Sequence, residues 1–151
     1  MLTTYFVDTS ALAKRYIPET GSEWMTDRMV PSSDHIILVS GLSSVEFVSM
    51  LVRRERERFV SNTDRIRLEN DFLFHLQHQY LVIAITENVL AEARRLLETY
   101  PLRTLDAIQL ASANHVNSVL DLNFIFVSAD NRLLQAAVAE GFVTENPNNY
   151  G

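Results

Sequence analysis

Short apolar runs alternate with longer helix-like segments along this chain, and that alternation constrains the fold more than any other feature. The runs lie at residues 5–7, 36–39, 81–85 and 124–127, with a shorter one at 142–143. Uninterrupted apolar runs of this kind are typical of strands that are covered on both faces. Strands that alternate with helices predict a parallel sheet between two layers of helices. We therefore expect an α/β fold with a small parallel sheet of four to five strands, sandwiched by helices.

The segments between these runs carry the usual signals of helix ends, such as Thr86 at a start and Pro101 or Gly141 at a stop. Helices are predicted at residues 11–16, 21–29, 42–58, 61–79, 86–100, 104–116 and 131–140. The 151 residues, 47% of them hydrophobic, suit one compact domain, and no Gly-, Ser- or Pro-rich linker divides them. The tail from residue 145 onward is expected to be loose.

Composition argues against several classes of protein. The chain has no cysteine, which excludes disulfides and thiolate metal sites and fits a reducing cytoplasm. No run is apolar enough to span a bilayer, and the first run lacks a basic flank and meets Asp8 too early for a signal peptide. We therefore expect a cytoplasmic protein with no membrane partner. The net charge of −6 disfavours generic nucleic-acid binding, although every basic residue except Lys14 is arginine, which binds phosphate bidentately.

Two acidic residues follow predicted strands directly. Asp8 comes immediately after the first strand, and Asp130 follows the strand at 124–127 closely. Because parallel strands end at the same edge of a sheet, both carboxylates are expected at the edge where open α/β folds bind ligands. The competing interpretation is that each caps the helix that follows it, which is a common role for aspartate.

Two further acids lie near the starts of predicted helices. Asp106 is in a first turn, where the helix dipole alone favours an acid. Glu46 belongs to helix 42–58, which is apolar on nearly every side and is therefore expected to be largely buried. A buried carboxylate is costly unless it is paired or metal-bound, and Arg53 lies too far along the helix for a direct pair. Four carboxylates at one sheet edge, with no thiolate, indicate Mg²⁺ or Mn²⁺.

Four blocks of the sequence resemble the PIN-domain family, in order and over nearly the whole chain. The blocks are VDTSAL at 7–12, SSVE at 43–46, LRTLDAIQLASA at 102–113 and FVSADNRLLQAA at 126–137. The short length resembles the VapC-type toxins of prokaryotic toxin–antitoxin pairs. The resemblance implies a single PIN-like nuclease domain over residues 1–151. Its activity would be that of a Mg²⁺- or Mn²⁺-dependent endoribonuclease, usually a homodimer, silenced by a cognate antitoxin.

The resemblance also implies a set of site residues. It assigns catalysis and metal binding to Asp8, Glu46, Asp106 and Asp130, and places Thr9 and Ser10 near the metal. From position alone, three cations are candidates for contact with the RNA phosphates: Lys14 and Arg15, shortly after Asp8, and Arg103, just before Asp106.

Other polar clusters have plainer interpretations. The arginines at 53, 54, 56 and 58 are interpreted as a solvated helix end, interleaved with Glu55 and Glu57. His75 and His78 share a helix face, but no third zinc ligand accompanies them. The same helix carries several apolar residues that suggest contact with a second copy or an antitoxin.

The sequence lacks residues that two other functions of α/β proteins require. A phosphotransfer hydrolase with an Asp-x-Asp motif would need an acid where this chain has Ser10, and a signalling receiver domain would need a lysine after a late strand. Two alternatives stay open: a PIN-like scaffold that binds RNA or protein without cutting it, and an RNA-maturation nuclease that is not a toxin.

Overall fold

Five parallel strands form one sheet at the centre of the protein, in the order β3-β2-β1-β4-β5. The structure is a computed structural model and describes residues 2–151. The strands are β1 (Thr4–Val7), β2 (Ile36–Ser40), β3 (Leu81–Ile83), β4 (Ile125–Val127) and β5 (Val143–Glu145). The helices are α1 (Thr9–Leu12), α2 (Ser22–Met29), α3 (Ser43–Arg56), α4 (Asn62–His78), α5 (Glu87–Thr99), α6 (Thr104–Leu120) and α7 (Asn131–Ala139). This arrangement confirms the predicted α/β fold.

Helices cover both faces of the sheet because the side chains of its central strands alternate between two cores. Tyr5 and Val7 of β1 belong to a core shared with α1 to α4, whereas Phe6 belongs to a core shared with α5, α6 and α7. Phe6 is fully buried and stacks on Phe126 of β4. Among residues 2–151, no helix combines the length and the apolar character that crossing a bilayer requires.

The register of β1 and β4 brings two polar segments to the same edge of the sheet. Val7 pairs with Val127, so Asp8 and Ser128 follow at the same level. The backbone N–H of Asp8 extends this pairing by donating to the carbonyl of Val127 at 3.0 Å. The register of these two strands therefore sets the distance between the segment that begins at Asp8 and the segment that begins at Ser128.

The prediction of a buried strand at 81–85 was wrong. β3 spans three residues and lies at the edge of the sheet, where it pairs only with β2. Leu81 is 55% exposed and Val82 is 43% exposed. An apolar run shows that a segment favours a strand, but it does not show whether that strand has a neighbour on both sides.

The prediction that helix 42–58 is largely buried was also wrong. α3 buries Phe47 and Leu51, and Phe47 packs on Phe72 of α4 with ring centroids 4.5 Å apart. Its opposite side carries Val45, Val48 and Val52, and Val45 is 68% exposed. Val48 and Val52 are half-buried, and we call these three residues the valine face.

The C-terminal tail, expected to be loose, packs against α2. Tyr150 stacks on Trp24 with ring centroids 4.7 Å apart and planes 10° from parallel. Pro147 is buried beside Gly21, which has a φ of +86° and lies directly against the Pro147 carbonyl. The polar character of residues 145–151 did not predict these contacts, because the rings of Trp24 and Tyr150 and the buried Pro147 make them.

Candidate active site

All four predicted acids line one cleft at the carboxyl edge of the sheet, with a volume of about 300 Å³. The strands and helices that deliver them are β1, α3, α6 and the turn after β4. We call this the acidic cleft, and its lining is Asp8, Thr9, Ser10, Glu46, Met50, Arg53, Arg103, Asp106, Gln109 and Asp130. Residues up to 122 positions apart in the sequence therefore share one cavity, as the sheet topology predicts.

Asp8 is the most buried acid of the cleft, with 4% of its surface exposed. Its Oδ1 accepts from the Ser10 hydroxyl at 2.7 Å and the Ala11 N–H at 3.0 Å, and its Oδ2 accepts from the Ser128 hydroxyl at 2.7 Å. Burial raises the pKa of Asp8 to about 6, although these donors partly oppose the shift. Asp8 thus caps α1, as its competing interpretation proposed, and also faces the cleft.

Glu46 is held by side chains from two other helices. Its Oε1 accepts from the Thr9 hydroxyl at 2.7 Å and from the Gln109 amide at 3.0 Å. Gln109 is 2% exposed, and its amide also donates to Ser43 at 3.1 Å. Glu46 makes no ion pair with Arg53 within 4 Å in the part of the chain that the structure describes. Its position is therefore set by neutral donors across the cleft.

Asp106 and Asp130 share one guanidinium. Arg103 donates from Nε to Asp106 at 3.1 Å and from Nη2 to Asp130 at 3.5 Å. Burial raises the pKa of Asp106, and the Arg103 guanidinium partly offsets that rise. Asp130 also caps α7, because its Oδ1 accepts from the Arg132 N–H at 2.9 Å. One oxygen of Asp130, Oδ1, therefore caps α7, and the other, Oδ2, accepts from Arg103 in the cleft.

The donor set of the acidic cleft fits a hard divalent cation in its chemistry. Its carboxylate and hydroxyl oxygens are the ligands that Mg²⁺ and Mn²⁺ prefer, and it contains no thiolate or imidazole. In residues 2–151, no three Asp, Glu or His side chains stand close enough to hold one ion as they are placed here. Arg103 is instead the cation that lies between Asp106 and Asp130.

Lys14 and Arg15 point away from the acids. The Lys14 ammonium donates to Glu19 at 3.1 Å and to the Thr20 carbonyl at 2.7 Å. The Arg15 guanidinium donates to the Tyr80 hydroxyl at 2.7 Å. Neither side chain lines the acidic cleft, whereas Arg103, the third predicted cation, does.

The two histidines of α4 both lie among aromatic side chains. His75 Nδ1 lies 2.8 Å from the Tyr16 hydroxyl, and the His78 ring packs on Phe74 with centroids 4.5 Å apart. Among residues 2–151, no third side chain completes a zinc site with His75 and His78.

Sequence reasoning missed three residues that belong to the site. Gln109 lies one helical turn after Asp106, which is the spacing that places both on one face of α6. Ser128 directly follows β4 at the level of Asp8. Arg53 lies two turns after Glu46 on α3 and lines the same cleft. Helical spacing indicates Gln109 and Arg53, and the position directly after β4 indicates Ser128.

Comparison with known proteins gives one family and a set of similar folds. The model of the PIN domain family matches residues 5–139. No curated protein sequence matches the chain significantly.

Three solved structures illustrate the shared fold. A toxin–antitoxin complex from Klebsiella pneumoniae is 15% identical with a TM-score of 0.63, and the match covers 95% of this chain and 97% of that one. VapBC2 from Rickettsia felis, bound to a DNA fragment from its promoter, is 10% identical with a TM-score of 0.65, covering 95% and 98%. VapC20 from Mycobacterium tuberculosis, a Sarcin-Ricin loop cleaving toxin, is 18% identical with a TM-score of 0.63, covering 92% and 96%. At these identities the likeness concerns the fold.

Proposed function

The chain belongs to the PIN-domain family, and on that premise we propose that it is a divalent-metal-dependent endoribonuclease, the toxin of a toxin–antitoxin pair. The observation that carries this proposal is the convergence of four carboxylates in the acidic cleft. Supporting it, proteins of similar fold include a toxin–antitoxin complex and a toxin that cleaves the Sarcin-Ricin loop. We propose that residues 1–151 act as one nuclease domain.

In this proposal Asp8, Asp106 and Asp130 hold Mg²⁺ or Mn²⁺. When bound, the ion would polarise a phosphoryl oxygen and offset the negative charge that builds up at the reacting phosphate. Hydrolysis breaks the bond between phosphorus and the 3′ oxygen, so the products are a 5′-phosphate and a 3′-hydroxyl.

We assign to Glu46 the role of orienting the attacking water. Thr9 and Gln109 both bind its Oε1, and among residues 2–151 no side chain or N–H donates to its Oε2. A carboxylate with one oxygen held by hydrogen bonds and the other oxygen open suits a group that takes a proton from water. Thr9 therefore positions Glu46, and Ser10 positions Asp8 through its 2.7 Å hydrogen bond.

We propose two protein partners, a cognate antitoxin and a second copy of this chain. The similar toxin–antitoxin complexes support the antitoxin. The valine face of α3 supports the homodimer, because an exposed valine beside two half-buried ones at helical spacing favours burial against another surface. The proposed substrate places the activity in the cytoplasm.

The decisive experiment compares wild type with Asp8→Asn in RNA cleavage with Mg²⁺, with Mn²⁺ and with EDTA. We expect cleavage by wild type with either metal, and none after the substitution or chelation. Asp64→Asn, an exposed acid on α4, is the matched control and should cleave like wild type. Activity that survives both Asp8→Asn and EDTA would refute the mechanism.

Two further measurements separate the alternative functions. A folded wild-type protein that takes up no Mn²⁺ at millimolar concentration would favour the binding scaffold over the enzyme. Growth arrest on expression, relieved by the product of a neighbouring gene, is expected of a toxin. A nuclease that cleaves RNA without arresting growth would instead belong to RNA maturation.

A further inference from the structure

Four arginines occupy the C-terminal end of α3 and the turn after it: Arg53, Arg54, Arg56 and Arg58. We call them the arginine segment. It begins inside the acidic cleft, because Arg53 lines that cleft together with Glu46 and Met50. Seven residues of helix separate Arg53 from Glu46, a distance of about 10 Å along the helix axis. The segment therefore leads from the candidate active site towards the end of α3.

The arginine segment has no carboxylate partner in residues 2–151. Glu55, which lies within it, turns to α4 and accepts from Arg65 at 2.8 Å and from Asn62 at 3.2 Å. Other arginines are paired: Arg94 lies 2.7 Å from Glu87, and Arg95 pairs with Glu92. Glu55, which the sequence interleaves with these arginines, therefore pairs with α4 and not with them.

An unpaired guanidinium beside four carboxylates is unusual in a chain with a net charge of −6. A favourable interaction with the C-terminus of α3 explains why cations are tolerated there, but not why they lack acidic partners. A guanidinium donates two parallel hydrogen bonds to a phosphate, which makes arginine the suitable side chain for an RNA backbone.

We propose that Arg53, with Arg56 beyond it, binds the phosphates of the RNA strand that flank the bond being cut. This inference rests on the proposed ribonuclease function and names the surface that guides its substrate. RNA is favoured over an acidic protein segment because Arg53 and Glu46 line the same cleft, so a phosphate bound at the acids lies near this guanidinium. Both arginines are exposed and free to contact a strand.

The test measures binding of a labelled single-stranded RNA by fluorescence anisotropy, in the Asp8→Asn background with Mg²⁺ so that the RNA stays intact. The added variants are Arg53→Ala, Arg53→Lys and Arg56→Ala. Arg94→Ala is the matched control, since it removes the same charge from an exposed, paired arginine on α5. We expect Arg53→Ala to weaken binding several-fold and Arg53→Lys to retain most of it. Each lost phosphate contact should lower the slope of log K against log salt by about 0.7.

The outcomes separate this inference from the function on which it rests. If Arg53→Ala binds RNA with the affinity and salt slope of Arg94→Ala while wild type cleaves RNA, the inference fails and the proposed function stands. If wild type neither binds nor cleaves RNA, both fail. If Arg53→Ala binds RNA normally but loses affinity for a polyglutamate peptide, the surface belongs to an acidic protein segment. Thermal unfolding of each variant, matched to wild type, shows that a loss of binding is not a loss of fold.

Discussion

Arg103 and Asp106 form an ion pair inside the acidic cleft, with 3.1 Å between Nε and Oδ2. The same guanidinium reaches Asp130 at 3.5 Å, so one arginine links two of the three carboxylates that we propose as metal ligands. The two acids face each other across this cation, which offsets the repulsion between them. A divalent ion bound to the same oxygens has to displace Arg103.

We predict that Arg103→Ala tightens Mn²⁺ binding several-fold, because it removes a competing cation from the two carboxylates. The Arg103 side chain is 76% exposed, so its release into water is not costly. Calorimetric titration with Mn²⁺ measures the effect without requiring activity, and Arg94→Ala serves as the charge-matched control. If Arg103→Ala binds Mn²⁺ as wild type does, or more weakly, the ion pair does not compete with the metal.

Ionisation of Asp8 is expected to lower the stability of the metal-free protein as the pH rises from 4 to 7, whereas the lowered pKa values of Glu55 and Glu140 act in the opposite direction. The pKa of Asp8 is raised from its ordinary 3.8 to about 6, so the folded state holds this proton more tightly than the unfolded state does. The contribution of Asp8 is complete below pH 3.8 and is lost as the pH rises through about 6. The full loss is about 3 kcal/mol, and the raised pKa of Asp106 acts in the same direction.

Urea unfolding in EDTA across this pH range measures the loss. Asp8→Asn cannot ionise at this position, so the part of the pH dependence that Asp8 contributes should vanish in that variant. Asp64→Asn, which changes an exposed carboxylate, should keep it. A pH profile that is the same in Asp8→Asn and wild type would show that the burial of Asp8 does not control its ionisation.

Gln109→Leu is expected to lower kcat and to destabilise the protein by about 1–3 kcal/mol, the usual result of removing one partner from a buried hydrogen-bonded group. The Gln109 amide donates to Glu46 at 3.0 Å, so its loss frees a carboxylate that we propose to orient water. Steady-state RNA cleavage and urea unfolding measure the two effects. Gln135→Leu, at an exposed position of α7, should change neither. Unchanged kcat in Gln109→Leu would mean that the proposed role of Glu46 does not depend on its hydrogen bond from Gln109.

The sequence predicts the site best where the acids directly follow strands of the parallel sheet. Asp8 and Asp130 follow strands, and parallel strands deliver their C-terminal residues to one edge, so their meeting was predictable. The exposed side of α3 was not, because Val45 and Phe47 are both apolar and only tertiary packing decides which is covered. The exposure of Leu81 was not predicted for the same reason, since an edge strand and a central strand can have the same apolar composition.

The role of Arg103 was predicted only in part. Its place just before Asp106 indicated a cation near the site, but whether it meets phosphate or carboxylate depends on Asp130, 27 positions away. Lys14 and Arg15 show the opposite outcome, because local partners such as Glu19 and Tyr80 draw them away from the cleft. Sequence spacing predicts the helix or strand on which a side chain lies, but the tertiary fold determines which residues that side chain contacts.

Val45→Glu is expected to convert the proposed homodimer into monomers. Val45 is 68% exposed in the single chain, so a charge there costs little in the monomer and is costly only when an interface buries it. Sedimentation velocity over a range of concentrations measures the shift. Val119→Glu, at a position of α6 that is 64% exposed, is the matched control and should leave the dimer intact. A monomeric wild type would refute the homodimer, and a dimeric Val45→Glu would move its interface away from the valine face.

The packed C-terminal tail allows a comparison between two glycines with positive φ. Gly21 has a φ of +86° and lies against Pro147, whereas Gly141 has a φ of +99° with nothing within 4 Å of the position a Cβ would take. Alanine at Gly141 therefore meets backbone strain alone, which costs about 1–2 kcal/mol. Alanine at Gly21 meets the same strain and also overlaps the Pro147 carbonyl. Overpacking of this kind adds about 1–3 kcal/mol.

We therefore predict that Gly21→Ala lowers the free energy of unfolding more than Gly141→Ala does, and that the difference comes from the tail. Urea unfolding of both variants measures it, and the double variant Gly21→Ala with Tyr150→Ala tests its origin. Tyr150 holds the tail on α2 through its stack on Trp24, so freeing the tail should relieve the overlap. The two substitutions should then cost less together than the sum of their separate effects. Equal losses at Gly21 and Gly141 would mean that the tail does not press on α2, and that the Trp24–Tyr150 stack contributes little to its position.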